Sequence, residues 1–213
     1  MSDVLVLIPV KPNLHPALKR SCRKLAESLP GANAAHRFTL VFDSRGGGDG
    51  HVRSLEERVA HTAPIRQALI DQHLAGHDYV MWIDADVIDY PKDLPTRLIE
   101  RNPLGVSAPL VLLAGHRGAF YDVAGFVEEG RWARRFPPYF RQPGPVYELD
   151  GVGCVYLVPG DVYRGGARHE PVPGYTEHMS VCRHARSMGR PVRAYADLIA
   201  WHADLAKYGE AHP

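Results

Sequence analysis

Two carboxylates, separated by one small residue, stand at the end of a buried hydrophobic stretch. The segment YVMWIDADVIDYP (79–91) changes abruptly from apolar side chains to Asp84, Ala85 and Asp86. Neighbouring carboxylates at the edge of a core repel each other unless a positive charge lies between them. Mg²⁺ and Mn²⁺ prefer oxygen ligands and often bridge a protein carboxylate to phosphate oxygens. The pair therefore predicts a divalent-metal site that accepts a diphosphate, with two solvated turn residues as the alternative.

The composition is that of an ordinary globular protein. With 213 residues, of which 45% are hydrophobic and 23% charged, the chain fits one domain with a substantial core. Its 25 Lys and Arg against 24 Asp and Glu give a net charge of +1, which does not demand a nucleic acid or an anionic membrane as partner. We expect no secretion signal and no membrane insertion, because the apolar runs are too short. The three cysteines form no CxxC pair, so we expect a reduced, cytoplasmic protein.

The hydrophobic pattern of the first half alternates between strands and helices. Buried strands are predicted at four places: 4–10, 37–43, 79–84 and 104–113. Helical spacing predicts two helices between them: 18–29, and a second from a cap at Thr62, with Pro64 in its first turn, to Leu74. This alternation predicts an α/β fold with a mostly parallel central sheet flanked by helices. Ligands bind such sheets at the carboxyl ends of the strands, where Asp43, Asp84 and Asp86 would lie.

The second half predicts a mixed or antiparallel C-terminal extension of the sheet. Residues 119–130 and 146–159 are typical of strands with turns between them. A helix capped by Thr176 is predicted over 175–192, followed by a last short strand over 192–197. Because the chain has no repeat and no convincing linker, we expect a single domain over residues 1–213.

Five blocks, in order, resemble the GT-A nucleotide-sugar glycosyltransferases, especially the family 2-like and Anp1-like members. VLVLIPVKPN resembles their opening strand and turn, VFDSRGGGDG their acid and Gly-rich loop, and YVMWIDADV their DxD strand. GVGCVYLVPGDVY resembles the segment behind the acceptor site, and GYTEHMSVCRHARSMGRPVRAYADLIAWH the closing acid, helix, strand and His. The resemblance covers nearly the whole chain. It implies a GT-A (Rossmann-like) fold with a nucleotide-sugar-binding half (1–110) and an acceptor-binding half (111–213).

The resemblance implies a metal and donor site built from several blocks. Asp84 and Asp86 would contact Mn²⁺ or Mg²⁺ and the ribose and diphosphate of the donor, beside the small Ala85. His202 would be a further metal ligand; its alternative is a surface imidazole. The remaining donor contacts would come from Pro9 and Val10 at the base pocket, Asp43 at the nucleobase and Arg66 at the diphosphate. A plain strand-end acid and an exposed helical arginine are the alternatives for Asp43 and Arg66.

Glu177 matches the catalytic acid region of family 2-like enzymes, but its neighbour departs from the pattern. Those enzymes carry a Glu-Asp pair, whereas this chain has Glu177 and His178. The resemblance therefore implies Glu177 as the general base, with His178 as its rival. Such a base removes the proton of the acceptor hydroxyl while the metal stabilises the departing nucleoside diphosphate. Alternatively, Glu177 is a first-turn acid favoured by the helix dipole. Inversion or retention at the sugar carbon stays open.

Two features bear on the acceptor. Gly151 and Gly153 would let a sugar or acceptor approach the backbone closely, or they form a turn or bulge. Residues 130–145 contain no acid and interleave arginines with aromatic residues; the arginines are Arg131, Arg134, Arg135 and Arg141. This composition suits a phosphate-bearing or stacked partner, and a hydroxymethylated base in DNA is one candidate acceptor. A proline-anchored loop with inward aromatics and solvated arginines is the alternative.

Together these features predict a metal-dependent glycosyltransferase. It would move a sugar from a UDP- or GDP-sugar to a hydroxyl acceptor. Two other functions compete: a nucleotide-sugar-binding module without turnover, and a haloacid dehalogenase-type phosphohydrolase. The phosphohydrolases carry their DxD on the first strand, whereas the motif of this chain is on the third predicted strand.

Overall fold

The computed structural model describes residues 1–44, 54–116, 119–132 and 146–208. Its strands are β1 (Ser2–Pro9), β2 (His36–Asp43), β3 (Tyr79–Ile83), β4 (Val87–Asp89), β5 (Val106–Leu113), β6 (Val127–Glu128), β7 (Arg131–Trp132), β8 (Val146–Glu148), β9 (Val155–Pro159) and β10 (Val192–His202). Its helices are α1 (Pro16–Glu27), α2 (Leu29–Ala32), α3 (Leu55–His73), α4 (Leu94–Arg101), α5 (Gly160–Arg164), α6 (His178–Ser187) and a 3-10 helix (Leu205–Tyr208). Within these ranges, no helix combines the length and the apolar character needed to cross a bilayer.

The core of the fold is one mixed eight-stranded sheet with helices on both faces. Its strands follow the order β2-β1-β3-β9-β5-β10-β4, and β8 pairs with β10. The strand β1 is parallel to β2 and β3, and β10 is parallel to β5, whereas β9 runs antiparallel to β3 and β5. The predicted α/β architecture, with a parallel first half and a mixed C-terminal extension, is confirmed. The functional division at residue 110 stays a prediction.

Strand β1 shows why the sheet is buried on both faces. Its side chains alternate between two hydrophobic clusters, Val4, Val6 and Ile8 on one side and Leu5 and Leu7 on the other. All five are at most 1% exposed. The first cluster includes buried residues of α1 and α4, and the second includes buried residues of α3, α5 and α6. The carboxyl ends of β1, β2 and β3 are thereby fixed side by side at one edge.

Helix α3 begins earlier than the sequence predicts. Ser54 and Glu57 form a capping box, in which the Ser54 hydroxyl accepts from the Glu57 backbone and the Glu57 carboxylate accepts from the Ser54 backbone. The predicted start at Thr62 is therefore wrong. Pro64 lies inside the helix, and the Thr62 hydroxyl donates to a carbonyl one turn earlier at 2.9 Å. Arg66, in the middle of this longer helix, reaches Asp84 at the tip of β3.

The closing elements also differ in their bounds from the predictions. Strand β10 does not end at residue 197 but continues to His202 through a shift in register between Tyr195 and Ile199. Helix α6 begins at His178 with Glu177 at its N-cap, so the predicted Thr176 cap is one residue early. The extension of β10 brings His202 level with the end of β5 and beside β4.

Candidate functional site

A cavity of about 510 Å³ opens at the carboxyl edge of the sheet. It is lined by the end of β1, one side of α3, the tip of β3 and the start of α6. Many predicted site residues meet on its wall: Pro9, Arg66, Asp84, Ala85 and Asp86 from the donor set, and the proposed catalytic pair Glu177 and His178. A cavity of this size at this edge suits a small-molecule ligand.

Three other predicted donor and metal residues lie outside this lining. Val10 packs against the hydrophobic core, and its backbone N–H donates to the carbonyl of Asp43 at 2.7 Å. Asp43 is buried at the end of β2. His202 is completely buried behind Asp86, so the alternative of a surface imidazole does not hold.

The predicted acceptor residues do not all lie at the cavity. Gly153 lies against the cavity wall, because a methyl group on it would be 2.8 Å from Cδ2 of His178. Gly151 lies nearer the core, where a methyl group would be 3.1 Å from Cε of Met179. Arg131 is exposed in the β7 hairpin. The predictions for Arg134 and Arg135 fall outside the described residues.

Arg66 joins two carboxylates of the cavity wall, those of Asp84 and Glu177. Its Nε donates to Oε1 of Glu177 at 2.8 Å, and its Nη2 donates to Oδ1 of Asp84 at 2.6 Å. The guanidinium lies over the Trp82 ring, 4.9 Å from its centroid. Burial alone would lower the pKa of Arg66, but the negative charges of Asp84 and Glu177 outweigh it and raise that pKa. At 6% exposure, Arg66 is not a solvated helical arginine.

Asp86 and Asp84 have different positively charged partners: Asp86 lies beside His202 and Lys11, whereas Asp84 binds Arg66. Its Oδ1 lies 2.9 Å from Nε2 of His202, and its Oδ2 lies 3.8 Å from Nζ of Lys11. Burial would raise the pKa of Asp86, but His202 and Lys11 hold it below its ordinary value. Burial would likewise lower the pKa of His202, and the nearby Asp86 raises it. The ring of Tyr121 stacks on His202 at 3.4 Å and fixes the plane of the imidazole.

The contact between Asp86 and His202 fits a divalent cation. Nδ1 of His202 lies 2.7 Å from the carbonyl of Ala203, which can only accept, so Nδ1 carries a proton. Nε2 of His202 is buried without a hydrogen bond of acceptable geometry, although it faces the Asp86 carboxylate. Two ligands at right angles on an octahedral ion, each with a bond of about 2.1 Å, are separated by roughly 3 Å, as these two atoms are.

Asp84 does not complete a metal site as it stands. Its Oδ1 is held by Arg66, and its backbone N–H donates to the carbonyl of Cys154 at 3.0 Å. Over the described ranges, no group of three or more His, Cys, Asp and Glu side chains is arranged to hold a metal. Asp86 and His202 thus fit a metal as a pair, and Asp84 would join them only by giving up its contact with Arg66.

His178 is a buried residue of the cavity wall, and its surroundings favour the neutral imidazole. Its Nδ1 lies 2.9 Å from the hydroxyl of Tyr156, and its Nε2 lies 3.5 Å from Oε1 of Glu177. Burial, together with the positive charge of Arg66, lowers the pKa of His178 well below its ordinary value. The imidazole is therefore suited to hydrogen bonding within the wall and poorly suited to taking up a proton.

Asp122 is a cavity residue that the sequence reasoning missed. It lies in the segment between the Leu112–Phe120 bridge and β6, and it lines the cavity with Asp84. Burial and the negative charge of Asp84 raise the pKa of Asp122 to about 7. The sequence assigned this segment to a strand. The available signal was one acid within the largely apolar run FYDVAGF (120–126).

A strained backbone position adjoins these residues. Cys154 has φ of +59°, in the left-handed region that residues with a Cβ rarely occupy. Its carbonyl accepts the N–H of Asp84, and its side chain lines the cavity. Strain of this kind persists where surrounding structure enforces it and is common at functional sites.

Solved nucleotide-sugar glycosyltransferases have a similar fold. The structure of S. aureus TarS 1–349 in complex with UDP-GlcNAc matches with a TM-score of 0.55 at 11% identity, covering 96% of this chain and 59% of that one. GalNAc-T7 with UDP, GalNAc and Mn²⁺ matches with a TM-score of 0.50 at 12% identity, covering 95% of this chain and 43% of that one. The chain therefore has a GT-A-type fold, as its sequence blocks predicted.

At identities of 11% and 12%, this similarity shows the fold alone. The chain spans 59% of the TarS fragment and 43% of GalNAc-T7. No family model and no curated protein sequence matches the chain.

Proposed function

We propose that the protein is a metal-dependent glycosyltransferase that moves a sugar from a UDP- or GDP-sugar to a hydroxyl acceptor. The observation that carries the proposal is the cavity at the carboxyl edge of a GT-A-type sheet, with Asp84 and Asp86 on its wall. The structural neighbours that carry UDP-GlcNAc, or UDP and Mn²⁺, support this class of donor. The fold, and the position of the acid pair just after β3 and not after the first strand, do not favour a haloacid dehalogenase-type phosphohydrolase.

The donor end of the cavity would hold the metal and the diphosphate. Asp86 and His202 would bind Mn²⁺ or Mg²⁺, with Asp84 as a further ligand. When bound, the ion would neutralise the charge that develops on the departing nucleoside diphosphate. Arg66 adds a fixed positive charge beside Asp84, and its buried Nη1 has no hydrogen-bond partner in the described part of the chain. A diphosphate oxygen would satisfy that N–H group.

The nucleobase would lie toward the ends of β1 and β2. Pro9 lines the cavity there, while Val10 and Asp43 are joined by a backbone hydrogen bond just behind it. We propose that this joined pair shapes the base pocket chiefly through the backbone. Ala85, between the two acids, is 5% exposed and leaves room for the donor close to the main chain.

The proposed acceptor end lies toward α6 and Gly153. Glu177 and His178, the two candidate bases that the resemblance implied, both line the cavity. The exposed Arg131 and Trp132 begin the basic and aromatic segment that we propose contacts the acceptor, with a hydroxymethylated DNA base as the first candidate. Arg131→Glu, and the pair Arg134→Glu with Arg135→Glu, would then weaken transfer to such DNA and leave donor binding unchanged. Transfer that is insensitive to these charges at several salt concentrations would exclude a nucleic-acid acceptor.

The decisive experiment separates the metal-binding role of Asp86 from a structural one. Calorimetry would measure the binding of a nucleotide sugar to wild type, Asp86→Ala and Asp89→Ala, each with and without Mn²⁺. Asp89 is the matched control, because it is an exposed acid three residues further along. We expect Asp86→Ala to lose Mn²⁺-dependent donor binding and Asp89→Ala to keep it. Equal binding by all three proteins would overturn the assignment.

A second measurement distinguishes an enzyme from a binding module without turnover. Wild type would be incubated with the bound nucleotide sugar and Mn²⁺, and the released nucleoside diphosphate would be measured. Slow hydrolysis, with water as acceptor, is the expected result for an active transferase. Tight binding without any release would favour the binding module.

A further inference from the structure

We infer that Asp122 is the group that takes up the proton of the acceptor hydroxyl, and that Glu177 acts as a positioning residue for Arg66. The inference rests on the proposed glycosyltransferase function and names a catalytic residue that the sequence did not single out. Three side chains on the cavity wall compete for this role: Asp122, Glu177 and His178. Their surroundings differ enough to choose among them.

Asp122 is fixed in the cavity by backbone groups. Its carboxylate accepts a hydrogen bond from the N–H of Gly125, and a methyl group on Gly125 would clash with Oδ1. Its Oδ2 lies 3.1 Å from the position that a methyl group on Gly153 would occupy. A side chain at Gly153 would crowd both this oxygen and His178, so the glycine keeps the Asp122 carboxylate unobstructed. Asp122 itself lines the cavity, where an acceptor could approach it.

The segment that carries Asp122 is held at both ends. The backbone N–H of Tyr121 donates to Val111 at 2.9 Å, and the N–H of Phe126 donates to the carbonyl of Asp122 at 2.9 Å. Phe120 is 1% exposed and packs edge-on against Phe126 at 5.0 Å between ring centroids. The carboxylate is thus presented from a rigid turn, which is what a catalytic group requires.

Glu177 is already committed to another partner. Its Oε1 accepts from Nε of Arg66 at 2.8 Å, and both side chains are less than 10% exposed. Protonating Glu177 would remove one of the two negative charges that hold a buried guanidinium. Glu177 therefore fits a role in orienting Arg66, whose Nη2 reaches Asp84 on the donor side.

His178 is a poor proton acceptor for a related reason. The imidazole is 5% exposed, and its Nδ1 is engaged with the hydroxyl of Tyr156. Taking up a proton would place a second positive charge near Arg66 in a part of the wall that is almost fully buried. His178 fits a hydrogen bond that holds the start of α6 against Tyr156.

The step itself balances with the acceptor and donor alone. The acceptor oxygen forms a bond to the anomeric carbon of the sugar, and the bond from that carbon to the phosphate oxygen breaks. The proton of the acceptor hydroxyl goes to the Asp122 carboxylate, and the electron pair leaves with the nucleoside diphosphate. A single base beside the acceptor, with no covalent intermediate, inverts the configuration at that carbon.

The test uses water as the acceptor, so that it does not depend on the natural one. UDP-glucose, UDP-N-acetylglucosamine and GDP-mannose would be screened by thermal shift with Mn²⁺, and the donor with the largest shift would be used. Release of nucleoside diphosphate and the donor Kd would be measured for wild type, Asp122→Asn, Glu177→Gln and the control Asp89→Asn. Asp122→Ala and Glu177→Ala would each be assayed with and without formate, a small carboxylate that can replace the removed side-chain carboxylate.

We expect Asp122→Asn to lower kcat by about 100-fold or more while its donor Kd stays at the wild-type value. Formate should restore turnover to Asp122→Ala, which a purely structural role for Asp122 would not permit. Glu177→Gln should mainly weaken donor binding, because Arg66 loses its orientation.

Wild-type turnover in Asp122→Asn, or formate rescue of Glu177→Ala and not of Asp122→Ala, would overturn the inference and leave the glycosyltransferase proposal standing. If wild type bound none of the donors with Mn²⁺ and released no diphosphate, the proposed function and the inference would fall together.

Discussion

At the scale of single residues, the cavity contains carboxylates with very different neighbours. Asp84 and Glu177 share the guanidinium of Arg66, and Asp86 faces the imidazole of His202. Asp122 is held instead by the backbone N–H of Gly125 and lies close enough to Asp84 for that charge to act on it. A half-buried carboxylate held beside a second negative charge costs folding free energy whenever it is ionised. Such a cost is typical of groups retained for activity at the expense of stability.

The cost predicts a specific pH dependence in the metal-free protein. Folding raises the pKa of Asp122 from 3.8 to about 7, so between these pH values the folded state binds more protons than the unfolded state. The contribution of this group to the free energy of unfolding must therefore fall as pH rises through that window. At about 1.4 kcal/mol per pKa unit, the penalty above pH 7 is at most about 4 kcal/mol.

Replacing Asp122 with Asn should remove this penalty. Urea unfolding in EDTA should show that the free energy of unfolding of Asp122→Asn rises relative to that of wild type as pH increases from about 3 to about 8, with the smallest difference at the acidic end. Asp89→Asn removes an exposed carboxylate and serves as the control, for which the gap should be constant. Parallel pH curves for wild type and Asp122→Asn would show that the carboxylate is not buried in this way.

At the scale of elements, the sequence predicts best where periodicity is long. The apolar run of β1 and the helical spacing of α1 predicted both elements, because each pattern has one structural solution. The start of α3 was missed, since Thr62 and Pro64 imitate a cap and first turn, whereas the true signal is the Ser54–Glu57 capping box. Pro64 sits inside the helix because tertiary packing of α3 outweighs the lost backbone hydrogen bond.

The candidate site was predicted only as far as its motifs reached. Asp84 and Asp86 follow a buried strand, so their place at the sheet edge followed from local pattern. Asp122 lies on a turn whose position depends on the pairing of Phe120 with Leu112, a contact that no local pattern encodes. The partnership of Arg66 with Glu177 joins residues 111 positions apart and likewise required the fold.

Gly153, just before β9, provides a test of how tightly the cavity wall is packed. A methyl group on Gly153 would lie 2.8 Å from His178 and 3.1 Å from Asp122, so Gly153→Ala should force the wall of the cavity apart. We expect a loss of about 1–3 kcal/mol in the free energy of unfolding, together with reduced turnover. Gly31→Ala in α2 is the matched control, because a methyl group there has nothing within 4 Å. A neutral effect at both positions would show that the wall at Gly153 can yield.

At the scale of the whole molecule, the order of the strands in the sheet could not be predicted from local sequence patterns. The sequence predicted β5 as a fourth strand, yet β9 lies between β3 and β5 and runs antiparallel to both. This insertion brings Cys154 to the tip of β3, where its carbonyl binds the N–H of Asp84. The long β10 brings His202, from the C-terminal part of the chain, to Asp86. Residues from both halves therefore form one wall, and binding at that wall should stabilise the molecule as a unit.

That coupling predicts how ligands change the melting temperature. A ligand at 100 times its Kd, bound only to the folded state, adds about 2.7 kcal/mol to the free energy of unfolding. For a chain of this length that corresponds to a rise of about 5 to 10 °C. We expect the nucleotide sugar and Mn²⁺ together to raise the melting temperature by more than the sum of their separate effects, because each completes the site of the other. In Asp86→Ala, the rise in melting temperature beyond the sum of the two separate effects should disappear, while any separate effect of the nucleotide sugar remains. Purely additive shifts in wild type would mean that the two ligands occupy independent sites, and the joint metal and donor wall would then be ruled out.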